Sequence, residues 1–298
     1  MRRAFIHIGL HKTGTTFLQK YVFRALSGIH VVQPSAGLKQ IAECPRNSNL
    51  LISDESLSGM PWGESRDRAG GWRRARELSL VNLAEFFPSA GILVCFRSHG
   101  DLIESLYRQY LHEGGTARFR DFFGEGCLIQ KQDLEFRPIL EMLEALFPVD
   151  PFVFSMGDVW PDPTALIRRM CIFLGVDIVP SVDPGRSENR GVRGYRARVL
   201  CSMNRISRSA LNPGGRLNLR NVVFRRMAID PRAICQHLLP GDWGQDVGLD
   251  AESRQRLEDH FSDDWAAVIE RVRGCRARFT ERDPQSDLGS IACGARVD

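Results

Sequence analysis

The residues best suited to chemistry lie between positions 9 and 16, in the run Gly9-Leu10-His11-Lys12-Thr13-Gly14-Thr15-Thr16. An apolar run, Ala4–Ile8, predicts a buried strand before it, and residues 17–22 predict the start of a helix after it. A loop between a strand and a helix directs backbone N–H groups and the positive end of the helix dipole at one point. Its glycines allow close approach, and Lys12 and three threonine hydroxyls add donors. The sequence therefore predicts an anion site for a phosphate or a phosphosulfate.

The loop differs from the G-x-x-x-x-G-K-[ST] loop of nucleoside triphosphatases. Gly9 and Gly14 have the right spacing, but Thr15 follows the second glycine and the lysine, Lys12, precedes it. Those enzymes also need an acidic residue that holds magnesium, and at the end of the third predicted strand this chain has Arg97. A P-loop kinase or NTPase that uses ATP and magnesium stays an alternative, against which Arg97 counts.

Strand-like and helix-like segments alternate along the chain. Besides the first strand, we predict strands at Asn49–Ser53, Gly91–Phe96 and Pro151–Phe154, and helices at Gly71–Phe87, Asp101–His112, Glu135–Phe147, Pro163–Leu174 and Asp250–Arg273. This alternation predicts an α/β fold. We expect three layers, α/β/α, around a mainly parallel central sheet that carries the P-loop-like loop, with a helical, arginine-rich C-terminal extension.

Three segments, in this order, resemble the sulfotransferases that use 3′-phosphoadenosine 5′-phosphosulfate (PAPS). Ile8 to Thr16 is similar to the family's 5′-phosphosulfate loop. Val94 to Tyr107 is similar to its 3′-phosphate segment, in which a strand ends in an arginine and a serine follows eight residues later. Phe152 to Gly175 resembles its third landmark, a strand, an acidic turn and a helix that ends in Phe-Leu-Gly. The resemblance covers about residues 4–175 and is nearest to bacterial, carbohydrate-type members of the family.

The resemblance implies that PAPS is the donor and 3′-phosphoadenosine 5′-phosphate (PAP) the product, with no metal required. The residues that it places at the nucleotide are His11, Lys12, Thr13, Gly14, Thr15, Thr16, Arg97, Ser105, Arg190 and Gly191. Arg97 at a strand end and Ser105 on the next helix could converge on the 3′-phosphate, where an arginine gives a charge-assisted fork. Arg190 and Gly191 belong to a later basic loop, Asn189 to Gly194, which also contains Arg193 and which the resemblance implies would close over that side.

Sulfuryl transfer builds negative charge on the leaving phosphate oxygen, so a cation held there lowers the barrier. We expect Lys12 to supply that charge. An alcohol acceptor also needs a base. Glu55, just past the predicted second strand, is the candidate, because ligands of α/β sheets gather at the carboxyl ends of the strands. Asp54 is its nearest rival, and His11 is a less favoured base.

The acceptor follows less directly from the sequence. The resemblance favours a hydroxyl of a sugar, a glycolipid or other lipid-linked saccharide, or a small metabolite, and an amine is the second choice. Trp62 and Trp72 could line an acceptor cleft, although each could equally be a core residue.

The segment Arg186–Arg232, with twelve arginines and two acidic residues, leaves a nucleic-acid-binding module as an alternative function. It has no recognisable nucleic-acid motif, so we expect no nucleic-acid partner. A homologue that binds nucleotide without catalysis is a further alternative, disfavoured by Lys12.

Composition and length set wider limits. Hydrophobic residues make up 43% and charged residues 26% of 298 residues, with a net charge of +4, which excludes disordered, collagen-like and coiled-coil chains. No apolar run reaches the ~18–20 residues of a membrane span, and the N-terminus does not resemble a signal peptide. The eight cysteines lie singly, which favours a reducing compartment, so we expect a bacterial cytoplasmic protein of undetermined oligomeric state. We expect one sulfotransferase domain over residues 1–279, with a core at 4–175, a cofactor-closing part at 176–279 and a flexible tail at 280–298.

Overall fold

The computed structural model describes residues 3–33, 45, 47–62, 71–176, 192–219, 222–224, 227–239 and 247–279. Its central sheet has five parallel strands in the order β2-β3-β1-β4-β5. They are β1 (Ala4–Ile8), β2 (Ile29–Val32), β3 (Asn49–Asp54), β4 (Gly91–Phe96) and β5 (Phe152–Ser155). The predicted α/β fold with a parallel sheet is confirmed.

Within the described residues, helices follow β1, β3, β4 and β5. They are α1 (Thr15–Phe17), α2 (Gly71–Phe86), α3 (His99–His112), α4 (Phe119–Phe122), α5 (Arg137–Leu146), α6 (Met156–Val159), α7 (Thr164–Leu174), α8 (Gly194–Ile206), α9 (Pro231–Ala233), α10 (Ala251–His260) and α11 (Ser262–Arg278). A π-helical turn, Leu18–Val22, continues α1, and a second one, Ile234–Leu238, continues α9. Short 3₁₀ turns cover Phe23–Ala25, Glu55–Ser58 and Lys131–Leu134. A small antiparallel pair, β6 (Val222–Phe224) and β7 (Met227–Ile229), stands apart from the central sheet.

The central sheet is buried on both faces, as expected for parallel strands covered by helices. Every residue of β4 is buried, and its side chains alternate between two apolar clusters. The cluster on one face includes residues of α2, α3 and α5, and the cluster on the other includes residues of α1 and α7. This is the predicted three-layer α/β/α arrangement.

The C-terminal elements pack onto this core. Buried Asn204 of α8 donates from Nδ2 to the carbonyls of Leu111 and Gly115, at 2.8 and 2.9 Å, where α3 ends. α11 packs along β5, and its Arg276 Nε contacts Asp158 Oδ1 at 2.8 Å. The helical, arginine-bearing extension therefore supports both the end of α3 and the segment around β5.

Some local predictions were wrong. The strand β2, the helix α8 and the pair β6–β7 were not predicted. The expected single helix at Asp250–Arg273 is two helices, because Phe261 leaves helical geometry with φ −102° and ψ 14° and stacks on His99. The interpretation of Cys95 and Cys171 as small core residues is confirmed by their exposures of 0% and 1%. The expected tail at 280–298 lies outside the described residues.

The strand order places the predicted chemistry at one edge of the sheet. From β1 the chain passes to β2 and β3 on one side and then to β4 on the other, so a crevice opens at the carboxyl ends of these strands. The loop at 9–14, Glu55 and Arg97 all begin at that edge. None of the helices in the described ranges is long and apolar enough to cross a bilayer.

Candidate active site

The loop after β1 is shaped by close contacts that only small residues permit. A Cβ on Gly9 would lie 2.6 Å from Thr15 Oγ1 and 3.2 Å from Glu55 Cγ. Gly14 has φ +79°, in the left-handed region where glycine is least strained. Thr13 donates its hydroxyl to the Leu10 carbonyl and closes the turn. These contacts bring the loop and the end of β3 together.

Lys12 is the one described residue other than glycine with a positive φ, at 65°. Such a conformation costs free energy in a residue with a Cβ, and it occurs most often where the surrounding structure imposes it at a functional site. The loop therefore holds the backbone of Lys12 in an unusual, left-handed conformation.

The segment after β3 is tied to this loop. The Gly9 N–H donates to the Asp54 carbonyl at 3.3 Å, and Ser58 Oγ donates to the Gly9 carbonyl at 3.1 Å. Asp54 caps the following 3₁₀ turn by accepting from the Ser56 N–H at 2.8 Å, and its side chain is buried. Glu55 is 34% exposed. Of the three candidate bases, Glu55, Asp54 and His11, Glu55 is the one that lines the cavity described next.

A cavity of about 350 Å³ opens at this edge of the sheet, within the size range of about 300–1,000 Å³ that small-molecule sites occupy. Its described lining consists of Lys12, Thr16, Glu55, Arg97, Ser105, Arg108, Gln109, His112, Glu113, Arg193 and Arg232. Five of the residues predicted from the sequence therefore share one cavity, although they come from three separate segments of the chain.

The described lining of the cavity carries five cationic side chains and two carboxylates. Burial is the main cause that lowers the pKa of Lys12 below its ordinary value. Glu55 opposes this shift, while Arg97, Arg108 and Arg232 lower the pKa further by charge repulsion. The cations repel one another across a partly desolvated space, so a bound anion would relieve unfavourable electrostatic energy.

Arg97 connects the end of β4 to the loop. Its Nη1 donates to the Lys12 carbonyl at 3.2 Å, and its pKa is lowered mainly by burial. Its buried Nε has no hydrogen-bond partner among the described residues. Ser105 lies two turns into α3 and lines the same cavity with 7% exposure. Arg97 thus fixes the loop through Nη1, while its buried Nε donor has no protein partner among the described residues.

The remaining predicted residues lie behind the cavity or outside the described residues. Thr13 and Thr15 are buried, and Thr15 Oγ1 has no hydrogen-bond partner in the part of the chain that the structure describes. His11 is 2% exposed and contacts Glu55 and Gly59. Gly14 provides the left-handed turn before α1. Arg190 and Gly191 lie outside the described residues.

Trp62 and Trp72, considered above as acceptor-lining residues, are each 4% exposed and belong to the core. Trp62 still touches the site, because its Nε1 donates to Glu113, a lining residue. Trp72 Nε1 donates to the carbonyls of Ser58 and Gly59 at 3.1 and 3.2 Å. Both rings therefore support the cavity from behind.

Most of the residues that line one side of the cavity were not predicted from the sequence. One face of α3 presents Ser105, Arg108, Gln109 and His112, and Glu113 follows at its end. Their spacing of three, four, seven and eight residues is that of one helical face, so the predicted helix already carried this signal. Arg193 lies in the basic loop at 189–194 that was predicted to close over the nucleotide, whereas Arg232 comes from a segment where the sequence offered only an excess of arginine.

His112 anchors part of that side of the cavity. Burial lowers its pKa to about 3, and Arg232, Lys12 and Arg108 add to the shift by repulsion. Its neutral Nε2 accepts the Val192 N–H at 3.2 Å. The contact fixes the backbone immediately before Arg193, which lines the cavity.

The described residues contain no group of three histidine, cysteine, aspartate or glutamate side chains placed to hold a metal ion.

No protein-family model and no curated protein sequence matches the chain. Among solved structures, the chain is similar to a sulfotransferase from Alicyclobacillus acidocaldarius, with 14% sequence identity and a TM-score of 0.43. That match covers 74% of this chain and 98% of the other. Similarity at this level leaves the function to be argued from the residues of the cavity.

Proposed function

We propose that the protein is a sulfotransferase that moves a sulfuryl group from PAPS to an acceptor hydroxyl. The observation that supports this most is the meeting of Lys12, Thr16, Glu55, Arg97 and Ser105 around one cavity. They come from three separate segments of the chain, and the sequence, with the resemblance it carries, predicts a role in binding or transfer for each of them.

The donor set of the cavity fits a ligand with two anionic ends. The described lining has an excess of cations, and two buried donors nearby, Thr15 Oγ1 and Arg97 Nε, have no protein partner among the described residues. A buried donor without a partner costs roughly 1–3 kcal/mol, and a phosphate or sulfate oxygen could remove that cost. PAPS would supply a sulfuryl group already bonded to a phosphate that can leave.

Lys12 would stabilise the charge that develops on the leaving phosphate oxygen. The repulsion from Arg97, Arg108 and Arg232 means that its ammonium gains more from a nearby anion than an isolated lysine would. Thr16 lies beside it in the lining and can donate a hydroxyl hydrogen bond.

Glu55 would accept the proton of the attacking hydroxyl. Its carboxylate lines the same cavity as Lys12 and is 34% exposed, so a substrate can reach it. Asp54 has another role as the cap of the 3₁₀ turn.

Arg97 and Ser105 would hold the 3′-phosphate and so distinguish PAPS from ATP. Arg97 is fixed by its bond to the Lys12 carbonyl, which would couple recognition of the 3′-phosphate to the position of the loop. We propose a carbohydrate, a lipid-linked saccharide or a small metabolite as the acceptor.

Thermal unfolding with PAP, ADP, or ATP with magnesium tests this proposal. A ligand at 100 times its Kd stabilises a protein by about 2.7 kcal/mol, which shifts the midpoint measurably. We expect a shift with PAP that is lost in Arg97→Ala and kept in Arg256→Ala, since Arg256 lies on the exposed face of α10 with 68% exposure. A shift with ATP–magnesium and none with PAP would contradict the proposal and favour a P-loop kinase.

A further inference from the structure

We infer that His11 is the proton partner of Glu55, which rests on the proposed function of Glu55 as base. The imidazole itself never touches substrate. It lies behind Glu55 and shares the proton that the carboxylate takes from the acceptor, so it is a positioning and proton-holding residue.

One nitrogen of His11 has a fixed role. Nε2 lies 2.8 Å from the Gly59 carbonyl oxygen, and a carbonyl can only accept a hydrogen bond. Nε2 therefore carries a hydrogen. When the ring is neutral, Nδ1 is then left with a lone pair and acts as an acceptor.

The other nitrogen faces a second acceptor. Nδ1 lies 3.7 Å from Glu55 Oε2, and it is buried with no hydrogen-bond partner among the described residues. The distance exceeds the range of about 2.7–3.2 Å for a hydrogen bond, so the two atoms face each other without one. One added proton would turn this contact into a short, charge-assisted hydrogen bond.

The surroundings prevent the ring from turning away. The indole of Trp72 packs edge-on against it with ring centres 6.0 Å apart, and Trp72 Nε1 also donates to the Gly59 carbonyl. Gly59 has φ +75°, and a Cβ there would lie 3.1 Å from the backbone nitrogen of Arg76. The carbonyl that sets the orientation of His11 is therefore held by backbone packing.

The proton balance is complete with these groups. As the acceptor oxygen forms its bond to sulfur, its proton moves to Glu55. The bond between sulfur and the phosphate oxygen breaks, and its electron pair stays on that oxygen beside Lys12. The proton on Glu55 then forms the bond to His11 Nδ1, where imidazole and carboxylate share it until it returns to solvent.

His11→Gln tests this inference, because a glutamine can donate to the Gly59 carbonyl but cannot hold a proton opposite Glu55. The assay is release of PAP from PAPS, with water and then a panel of sugar alcohols as acceptors. We expect kcat to fall about 10²-fold, the lower end of general acid–base effects, with the KM for PAPS and the thermal shift with PAP unchanged. Arg256→Ala is the control that should leave both unchanged. The solvent deuterium isotope effect on kcat should also change in His11→Gln, whereas a loss of packing alone would leave it unaltered.

Nitrogen-15 NMR of the wild-type protein provides a second test that needs no turnover and no variant. We expect the neutral His11 ring to carry its hydrogen on Nε2, and a hydrogen on Nδ1 would overturn the inference. Wild-type kcat in His11→Gln, together with loss of kcat in Glu55→Gln, would also overturn it while leaving the sulfotransferase proposal intact. Failure of the wild-type protein to bind PAP would instead contradict the proposed function itself.

Discussion

The cavity has two walls that the chain builds in different ways. The loop wall is formed by Lys12 and Thr16, on the loop at 9–16, together with Glu55, and the helix wall is the face of α3 that runs from Ser105 to His112 and ends at Glu113. In the loop wall, backbone geometry and contacts between near neighbours set the positions. In the helix wall, helical periodicity sets them, and remote segments of the chain hold the helix in place.

The two walls also differ in what would disturb them. The loop wall depends on space, since even a methyl group on Gly9 would meet Thr15 Oγ1 and Glu55 Cγ. The helix wall depends on polar contacts, among them Gln109 Nε2 to Glu113 Oε1 at 2.8 Å and the Val192 N–H to His112. We therefore expect the loop wall to tolerate few changes and the helix wall to respond gradually.

The largest effect should come from the charge at the centre of the loop wall. Lys12→Ala should lower kcat for sulfuryl transfer by about 10²–10³-fold, because the developing charge on the leaving oxygen would lose its cation. PAP release from PAPS measures this. Lys131→Ala, at an exposed site in a 3₁₀ turn, is the matched control and should keep full activity. Full activity of Lys12→Ala would show that Lys12 does not stabilise the leaving phosphate oxygen, and would contradict a catalytic role for the loop wall.

A change of one methyl group tests the spatial requirement of the loop wall. Gly9→Ala should destabilise the fold by about 1–3 kcal/mol and abolish the PAP-induced shift, since its Cβ would lie 2.6 Å from Thr15 Oγ1. Gly274→Ala in α11 is the control, because no atom lies within 4 Å of its Cβ, and it should stabilise by roughly 0.5–1 kcal/mol. Urea unfolding measures the free energy of unfolding of both variants. Equal values for Gly9→Ala and Gly274→Ala would contradict the claim that the loop wall has no room for a methyl group at residue 9.

His112, on the helix wall, should make the free energy of unfolding depend on pH. The pKa of His112 is about 3 in the folded protein and near 6.5 in an unfolded chain, so the unfolded state binds the extra proton between these values. The free energy of unfolding should therefore fall as pH drops from about 6.5 towards 3, with His112 contributing on the order of 1 kcal/mol per pH unit. Urea unfolding at pH 7, 6 and 5 should show a shallower slope in His112→Gln. An unchanged slope would mean that His112 is not held neutral by this wall.

The smallest effect should follow loss of the hydrogen bond that joins the core residue Trp62 to Glu113 at the end of the helix wall. Trp62→Phe keeps most of the ring packing but removes the hydrogen bond to Glu113. We expect about 1 kcal/mol of lost stability and unchanged binding of PAP, with a changed KM for the acceptor. Trp265→Phe, a partly buried indole at α11, serves as a control for the loss of an indole alone. A loss of PAP binding in Trp62→Phe would contradict the separation of the two walls.

The difference between the walls explains what could be predicted from the sequence. The strand before the loop, the glycine spacing and the end of β4 at Arg97 are local features, and the parallel sheet follows from their alternation with helices. Ser105 was placed on its helix, but its neighbours on the same face were not considered. The basic loop at 189–194, which contains Arg193, was predicted to close over the nucleotide, but Arg232 could not be placed because it reaches the cavity only through the packing of α8 and α9. The proximity of His11 to Glu55 likewise depends on how the turn after β3 closes on the loop.

Binding of PAP and of adenosine 5′-phosphate, which lacks the 3′-phosphate, to wild type and Arg97→Ala tests the central claim most directly. Titration calorimetry gives the four Kd values. A charge-assisted contact of roughly 1.5–3 kcal/mol predicts that wild type prefers PAP by about tenfold to a hundredfold and that Arg97→Ala loses most of this preference. Equal affinity of the wild-type protein for both nucleotides would contradict the account.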